Sequence, residues 1–576
     1  MYTRNTRRES SEMDTRINGD QTIRATVGND HYEIYPLPEG IIVERDVMIP
    51  SGLGPRLAAN IFRPDKPGRY PVVMGCTTYG KDLHPLDYTL AGRGPANRSI
   101  GLDMGDMRVS EATPFEAADP GYWVPHDFVV IHVDALGSGK SEGQAALGLG
   151  EEVISAFCDA IGWAADQEWS SGNVGLNGVS YLAVVQWPIA ARKPRGLAAI
   201  IPWEGFTDSL SDLVTHGGIP ETAFFPWWMS GEKSASPADD GGPYFISERP
   251  TVEPGPFAAL VGLSLGLTPD RAVFPVPEVD YSAIDVPALI CGSWSAQGLH
   301  SRGAFNGFAR IKSKNKHLYT HGRHEWTVSN DVDALEAQRA FYNRYLKDDD
   351  IAISPVRLEV RRTLEEYDVR LEDSFPPKSA VLTSFFLDTS AQTLTTTAPS
   401  SVHSSSYNST SPDDRLLFRH TFKQDTEISG PMALRCFMRA DAGFDIDLFV
   451  GIRKLNSIGQ EVPFWTRLSR HGIVTRGWLR ASRRPDPDAV GESLVPLARY
   501  DHEQPVSINE VIEMNVEILP SSTFFEREST LVLELRGRDI TELANFQHHR
   551  IFNAGNHTVF SGSEYLSRLL VPVITE

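Results

Sequence analysis

The sequence predicts an α/β protein with a parallel sheet, a segment inserted into that sheet and a separate all-β region. Two unbroken apolar runs, Tyr70 to Met74 and Phe128 to Val133, are typical of strands buried on both faces of a parallel sheet. Beyond about residue 415, short segments with alternating polarity predict antiparallel strands without helices. The 576 residues exceed the roughly 250–300 at which a single core stops growing, so we expect more than one domain.

The elements of the α/β part follow from local patterns. Alternating residues around a Ser-Gly-Leu-Gly turn predict a hairpin over 41–64. Apolar side chains at helical spacing predict a helix over 151–163, and its first turn carries two glutamates that oppose the helix dipole. A strand over 173–176 and a helix over 181–191 come next. This alternation of strand and helix is typical of a doubly wound sheet.

Breaks in these patterns predict the domain organisation. Strand and helix alternation stops after about Phe206 and resumes only at 286–291, which is too long a gap for one crossover and predicts a helical cap over 207–278. The α/β domain then covers 31–206 and 279–355, and a helix over 331–347 closes it. Residues 356–576 are expected to form a β-sandwich of the jelly-roll type, with a long Ser/Thr-rich loop over 389–414. Residues 1–30 are expected to be a mobile tail.

Composition limits the partners that we expect. A hydrophobic content of 41% is sufficient for packed cores, and a net charge of −21 disfavours binding to nucleic acid or to an anionic membrane. The sequence has no signal peptide and no apolar run of about 18 residues, so a cytoplasmic protein is expected. The four cysteines have no CxxC spacing, and we predict buried thiols without disulfides, no metal site and no cofactor. The sequence leaves open whether the chain forms a homo-oligomer.

The strongest chemical signal is the segment from Asn173 to Ala183, in which a strand runs through Gly178 and Ser180 directly into a helix. This is the pattern of a nucleophile elbow, so it predicts an α/β-hydrolase fold with Ser180 as nucleophile. The amide of Tyr181 is then expected to face the developing oxyanion near a helix N-terminus. The full GxSxG form is not met, because Leu182 occupies the position of its last glycine.

A serine nucleophile needs a base, which in this fold follows the nucleophile and the acid along the chain. His321 and His324 lie in the region that follows the next two predicted strands. We predict His324 as the base, because it lies deeper in the loop after the last of these strands.

These motifs resemble those of the CocE/NonD hydrolases, a family that includes cocaine esterase, α-amino acid ester hydrolases and X-Pro dipeptidyl-peptidases. The elbow GNVGLNGVSYLA resembles the family's elbow, and the segment from Cys76 to Lys81 resembles the one whose tyrosine completes the oxyanion hole. The resemblance therefore implies that Tyr79 has this role. The turn from Asp134 to Gly143 also resembles a sequence motif of the family, and we interpret this turn as structural.

One position departs from the family. Ala296, in the stretch after the strand ALICGS, stands where relatives carry the aspartate of the triad. Loss of that acid typically reduces turnover by about 10⁴. Three explanations stay open: a deliberate inactivating substitution, recruitment of another acid such as Glu325, or a change to non-hydrolytic chemistry with His324 as a lone base.

The function that we predict is hydrolysis of an ester or amide bond of a small-molecule acyl substrate. The alternatives are a non-hydrolytic biosynthetic reaction, such as cyclisation, dimerisation or a lyase step, and a catalytically silent scaffold. Aromatic residues in and near the predicted cap suggest an apolar pocket, and the candidates for substrate contact are Phe225, Trp227, Trp228 and Trp294.

Overall fold

The computed structural model describes residues 22–27, 30–86, 105–143, 149–225, 278–467, 469–490, 493–540, 546–548 and 553–575. Most of the predicted cap, including Trp227 and Trp228, and most of the predicted N-terminal tail lie outside these residues. Within them, no helix has both the length and the apolar character needed to span a membrane.

The predicted α/β sheet is present. Its strands lie side by side in the order Ile41–Ile49, Leu57–Pro64, Val129–Asp134, Tyr70–Thr77, Ser170–Val179, Leu197–Trp203, Ala288–Ser293, Lys316–His321, Val356–Arg361 and Tyr367–Glu372. The strands from Val129–Asp134 to Val356–Arg361 are parallel to one another, and antiparallel strands complete both ends. This order is that of a doubly wound sheet, as the alternation of strands and helices predicted.

Helices cover this sheet. They span Pro120–Trp123, Glu151–Ala165, Tyr181–Val184, Gln186–Arg192, Ser301–Arg310, Glu325–Val328 and Val332–Leu346. The helix Glu151–Ala165 buries Val153, Ile154, Phe157 and Ile161, which are the four apolar side chains that predicted it. The predicted helix over 181–191 is divided at Val185 into two shorter helices.

The C-terminal region is built mainly from antiparallel strands. They span Ala380–Asp388, Thr393–Thr395, His403–Asn408, Leu416–Thr421, Thr426–Ala440, Asp447–Leu455, Thr475–Arg480, Ile512–Phe525, Thr530–Arg536, Asn556–Ser561 and Arg568–Ile574, with a short helix at Pro487–Val490. Their apolar side chains form a core separate from that of the α/β sheet. The predicted loop over 389–414 contains two of these strands, because His403–Asn408 pairs with the distant Asn556–Ser561.

Two further details differ from the expected organisation. The strand Val356–Arg361 pairs parallel to Lys316–His321, so the α/β sheet extends past the predicted boundary at residue 355. Near the N-terminus, Ile23–Val27 pairs with Asp30–Tyr35, which in turn pairs with Met107–Ser110. The pairing of Val356–Arg361 with Lys316–His321 and that of Asp30–Tyr35 with Met107–Ser110 are long-range contacts that local composition does not reveal. The four cysteines are free; Cys76, Cys291 and Cys436 are buried as predicted, but Cys158 is only partly buried, contrary to the prediction.

Candidate active site

Ser180 lies in the sharp turn between the strand Ser170–Val179 and the helix Tyr181–Val184. Its backbone has φ 57° and ψ −116°, a conformation that residues other than glycine rarely adopt and that often marks a functional site. A side chain at Gly178 would overlap the Cβ atom of Leu182, so the turn requires glycine there. The local structure is therefore the predicted nucleophile elbow.

The residue that contacts the Ser180 hydroxyl is His300. Its Nε2 atom lies 3.1 Å from Ser180 Oγ. His300 follows the strand Ala288–Ser293 and directly precedes the helix Ser301–Arg310, and its ring stacks on Phe206 with 6.0 Å between the ring centroids. Burial and the nearby guanidinium of Arg467 hold the pKa of His300 well below its usual range, so the ring is neutral and can accept a proton.

Glu325 is the carboxylate that faces His300. Its Oε2 lies 3.7 Å from His300 Nε2, and its Oε1 accepts a hydrogen bond from Arg467 Nε at 2.7 Å. Glu325 is fully buried at the start of the helix Glu325–Val328. Burial raises the pKa of Glu325 to about 7, although the adjacent Arg467 acts in the opposite direction. This carboxyl group therefore changes charge near neutral pH.

His324, the predicted base, has a different environment. Its Nδ1 accepts a hydrogen bond from the backbone N–H of Trp326 at 3.3 Å, so His324 caps the short helix that Glu325 begins. No hydrogen bond joins its Nε2 to Ser180. The structure thus places His300, and not His324, on the Ser180 hydroxyl.

His321, the other histidine considered as a base, lies at the end of the strand Lys316–His321. Its Nε2 is 2.7 Å from Glu204 Oε1, and both side chains are fully buried. The other carboxylate oxygen of Glu204 accepts a hydrogen bond from Ser293 Oγ, which in turn accepts one from the backbone N–H of Ala296. Burial raises the pKa of Glu204 to about 8. Glu204 and His321 are therefore linked to the loop that carries His300.

The two predicted oxyanion residues lie next to each other. The ring centroids of Tyr79 and Tyr181 are 6.0 Å apart in an edge-on arrangement, and both residues are buried. Tyr181 is the first residue of the helix after Ser180, so its amide lies at that helix's N-terminus. Lys81 lies in the same loop as Tyr79, and its buried ammonium pairs with Asp46 and Asp82.

Ala296 occupies a turn that shapes the His300 loop. Its carbonyl accepts hydrogen bonds from the backbone N–H groups of Leu299, His300 and Ser301 at 3.1 to 3.3 Å. Its side chain is almost fully buried. The backbone of this position therefore helps to hold His300, although its side chain offers no charge.

Two of the predicted substrate contacts are described, and both are buried. Trp294 stacks on Phe305 with 5.0 Å between the ring centroids, and its Nε1 donates a hydrogen bond to the carbonyl of Glu359. This placement gives Trp294 a packing role in the core. Phe225 belongs to an apolar cluster that includes Phe206, the residue on which His300 stacks.

Sequence reasoning missed two residues of this site. The family resemblance places the acid in the loop of His300, and the order of nucleophile, acid and histidine then predicts a base further downstream. A histidine just after a strand at the carboxyl edge of the sheet was the available signal for His300. Arg467 belongs to the C-terminal region, 142 residues from Glu325 along the chain, and no motif marks it.

The fold and the site define the class of the protein: a hydrolase with a serine nucleophile on an α/β-hydrolase-like sheet. The family model for X-Pro dipeptidyl-peptidases of the S15 family matches residues 53–326. The model for the C-terminal non-catalytic domain of X-Pro dipeptidyl-peptidase matches residues 352–570.

A crystal structure of a CocE/NonD family hydrolase from Staphylococcus aureus is 34% identical with a TM-score of 0.84, and the match covers 93% of this chain and 94% of that chain. The chain belongs to the CocE/NonD family of hydrolases. The cocaine esterase of Rhodococcus sp. (strain MB1 Bresler) is 31% identical over 160 residues, which are 28% of this chain and only 23% of that enzyme.

Proposed function

We propose that the protein hydrolyses an ester or amide bond of a small organic acyl compound, with Ser180 as nucleophile, His300 as base and Glu325 as the acid that supports it. The observation that carries the proposal is the 3.1 Å contact between Ser180 Oγ and His300 Nε2 at a strained elbow. The names of the relatives, which include an esterase and a dipeptidyl-peptidase, support an acyl substrate.

In the first half of the reaction, Ser180 Oγ attacks the substrate carbonyl and its proton passes to His300 Nε2. For Nε2 to accept it, the neutral ring carries its own proton on Nδ1. Glu325 lies near Nε2 and not near Nδ1, so it acts on the imidazolium through its charge and not through a hydrogen bond to Nδ1. The imidazolium that forms faces the Glu325 carboxylate, and Tyr79 with the Tyr181 amide stabilises the oxyanion. The proton on Nε2 then passes to the leaving group, and an acyl-enzyme remains.

In the second half, His300 Nε2 takes a proton from a water molecule that attacks the acyl-enzyme. Collapse of the second tetrahedral intermediate returns this proton to Ser180 Oγ and releases the carboxylic acid. One water molecule is consumed, and the enzyme regains its starting protonation state.

The same arrangement offers a reason for Ala296. In this chain, the loop after Ala288–Ser293 carries the histidine and the loop after Lys316–His321 carries the acid, the reverse of the order expected for this fold. Among the explanations for Ala296, the 3.7 Å distance between His300 and Glu325 favours recruitment of Glu325. On this proposal an aspartate at 296 is unnecessary.

The finer parts of the architecture and of the pocket belong to the same proposal. We infer a jelly-roll topology for the C-terminal strands. The helical cap expected over residues 207–278 lies mostly outside the described residues, and its described part contains the short antiparallel strands Thr215–His216 and Ile219–Pro220. Trp227 and Trp228 of that cap, together with Phe225, remain the proposed contacts for an apolar part of the substrate.

The first test is covalent labelling of Ser180 by a fluorophosphonate, combined with hydrolysis of short p-nitrophenyl esters. Labelling is expected in the wild type and should be absent in Ser180→Ala. His300→Gln is expected to slow labelling by about 10²–10⁴-fold, which is the usual contribution of a general base. His324→Asn is the matched control, since asparagine is also a good helix N-cap, and it should label at nearly the wild-type rate.

The opposite ranking, with His324→Asn slow and His300→Gln fast, would restore His324 as the base. A folded wild type that neither labels nor hydrolyses esters would favour non-hydrolytic chemistry. Ala296→Asp provides a separate test of the acid, because no increase in rate is expected if Glu325 already has this role. A gain of about 10²-fold or more in Ala296→Asp would contradict that assignment.

A further inference from the structure

A chain of three ionisable side chains connects the C-terminal region to the loop of the proposed base. Asp539 Oδ1 lies 2.6 Å from His548 Nδ1, and His548 Nε2 lies 2.7 Å from His216 Nδ1. At the other end, His216 Nε2 lies 2.6 Å from the carbonyl oxygen of Gly298, two residues before His300. Both rings are buried.

The number of protons in this chain can be counted from its distances. Each of the three contacts brings two nitrogen or oxygen atoms within hydrogen-bond distance, so each contact requires one shared proton between its atoms. Two neutral imidazoles supply only two protons, because a neutral ring has one N–H and one lone pair. A carbonyl oxygen and an ionised carboxylate supply none. One additional proton is therefore required.

We propose that Asp539, His548 and His216 form a hydrogen-bond chain that holds this additional proton on His548, and that the chain positions the loop carrying His300. His216 then donates from Nε2 to Gly298 and accepts at Nδ1 from His548 Nε2. His548 donates from both nitrogens and forms an ion pair with Asp539. The part of this inference that concerns His300 rests on the proposed function.

The surroundings support this location of the proton. Burial, together with the adjacent His548, lowers the pKa of His216 to about 3, which keeps the ring nearest the loop neutral. The carboxyl group of the buried Glu221 also faces His548, and it accepts hydrogen bonds from four backbone N–H groups. A positive charge on His548 is therefore next to the Asp539 carboxylate and close to a second carboxyl group, that of Glu221.

The other charged groups near the chain also reach the His300 loop. Arg476 interacts electrostatically with Asp539, and its Nε donates a hydrogen bond to the side chain of Gln297 at 2.9 Å. Asp212, whose carbonyl lies 3.4 Å from His216 Nε2, forms an ion pair with Arg302 at 2.6 Å. The segment 297–302 is thus held from the C-terminal region on one side and from 212–216 on the other.

The substitution Asp539→Asn separates the proton count from the geometry. Asp539 Oδ2 accepts the backbone N–H of His548, and an asparagine oxygen can keep that bond. The asparagine amide can donate to His548 Nδ1, so all three hydrogen bonds can form while both imidazole rings are neutral. Asp539→Asn should therefore preserve the chain and remove its need for the additional proton. Asp501→Asn, an exposed aspartate of the same region, is the matched control.

The direct experiment is NMR of the full chain labelled with ¹⁵N in the histidine rings, with the His548 signals identified by their loss in His548→Gln. At pH 7 we expect His548 to carry protons on both nitrogens in the wild type and in Asp501→Asn, and on one nitrogen in Asp539→Asn. In ester hydrolysis, His548→Phe should lower kcat/KM about tenfold, because the buried hydrogen bond to His216 is then lost. Asp539→Asn, which keeps the chain, should retain the wild-type kcat/KM.

A singly protonated His548 in the wild type at pH 7 would overturn the proton count without any variant. Unchanged kcat/KM in a folded His548→Phe, or a tenfold loss in Asp539→Asn, would overturn the positioning role. The NMR result does not depend on His300. If His300→Gln keeps full activity while His548 is doubly protonated, the proposed function fails and the protonated chain stands.

Discussion

Replacement of Glu325 by glutamine tests the proposed acid most directly. The imidazolium that forms on His300 lies 3.7 Å from the Glu325 carboxylate. At an effective dielectric constant of about 20, two unit charges at this distance attract each other by about 4 kcal/mol. Since about 1.4 kcal/mol corresponds to a tenfold change in rate, Glu325→Gln should reduce kcat/KM by about 10³-fold.

The pH dependence gives a second, independent signature of Glu325. Because burial raises its pKa to about 7, the carboxylate is present only above that pH, and kcat/KM of the wild type should rise through about pH 7 and then level off. The pKa of His300 is held well below its usual range, so its own titration does not produce this rise. In Glu325→Gln the rise should disappear.

The assay is ester hydrolysis between pH 5 and pH 9, with thermal unfolding at pH 6 as the test of folding. At pH 6 the wild-type Glu325 is mostly neutral, so the isosteric glutamine should leave the melting temperature nearly unchanged. Glu365→Gln, which removes an exposed glutamate paired with Arg470, is the matched control. If Glu325→Gln keeps its activity within tenfold of the wild type and still shows the rise at pH 7, our reasoning about the acid is refuted.

Three further predictions concern the same region. Arg467→Met removes the cation that lowers the pKa of Glu325, so the rise in kcat/KM should move to higher pH by about one to three pH units, and an unmoved profile would contradict the pairing. Burial raises the pKa of Glu204 to about 8, so the neutral form of this carboxyl group contributes to folding stability at low pH. This contribution is lost as the pH rises through 8. In calorimetry, Glu204→Gln should therefore lose less stability than the wild type between pH 6 and pH 9. Gly178→Ala should cost about 1–3 kcal/mol or more in denaturant unfolding. Gly52→Ala should be nearly neutral, because its added Cβ would meet only the Asp159 carboxylate, at an ordinary van der Waals distance of 3.4 Å. Equal effects of the two substitutions would be inconsistent with the tight elbow.

The local patterns of the sequence were sufficient for most of the α/β framework. Unbroken apolar runs predicted the parallel strands, because a strand with both faces buried excludes polar side chains. The glycine and serine of the elbow predicted the nucleophile, since only a small residue fits before that turn. The interior of the predicted Ser/Thr-rich loop was missed, because His403–Asn408 becomes a strand only through pairing with residues about 150 positions away.

The sequence by itself determined the class of fold and pointed to Ser180 as the proposed nucleophile and to the oxyanion candidates, because each depends on residues that are close together along the chain. The partner of Ser180 was decided only by the tertiary structure. His300, Glu325 and Arg467 come from two different loops and from the C-terminal region, and their meeting depends on how the sheet and the C-terminal strands pack together. The order of motifs along the chain cannot specify which of several loop histidines reaches Ser180. The loops that follow neighbouring parallel strands all lie at the same edge of the sheet, and only the tertiary structure shows how close their side chains come to Ser180.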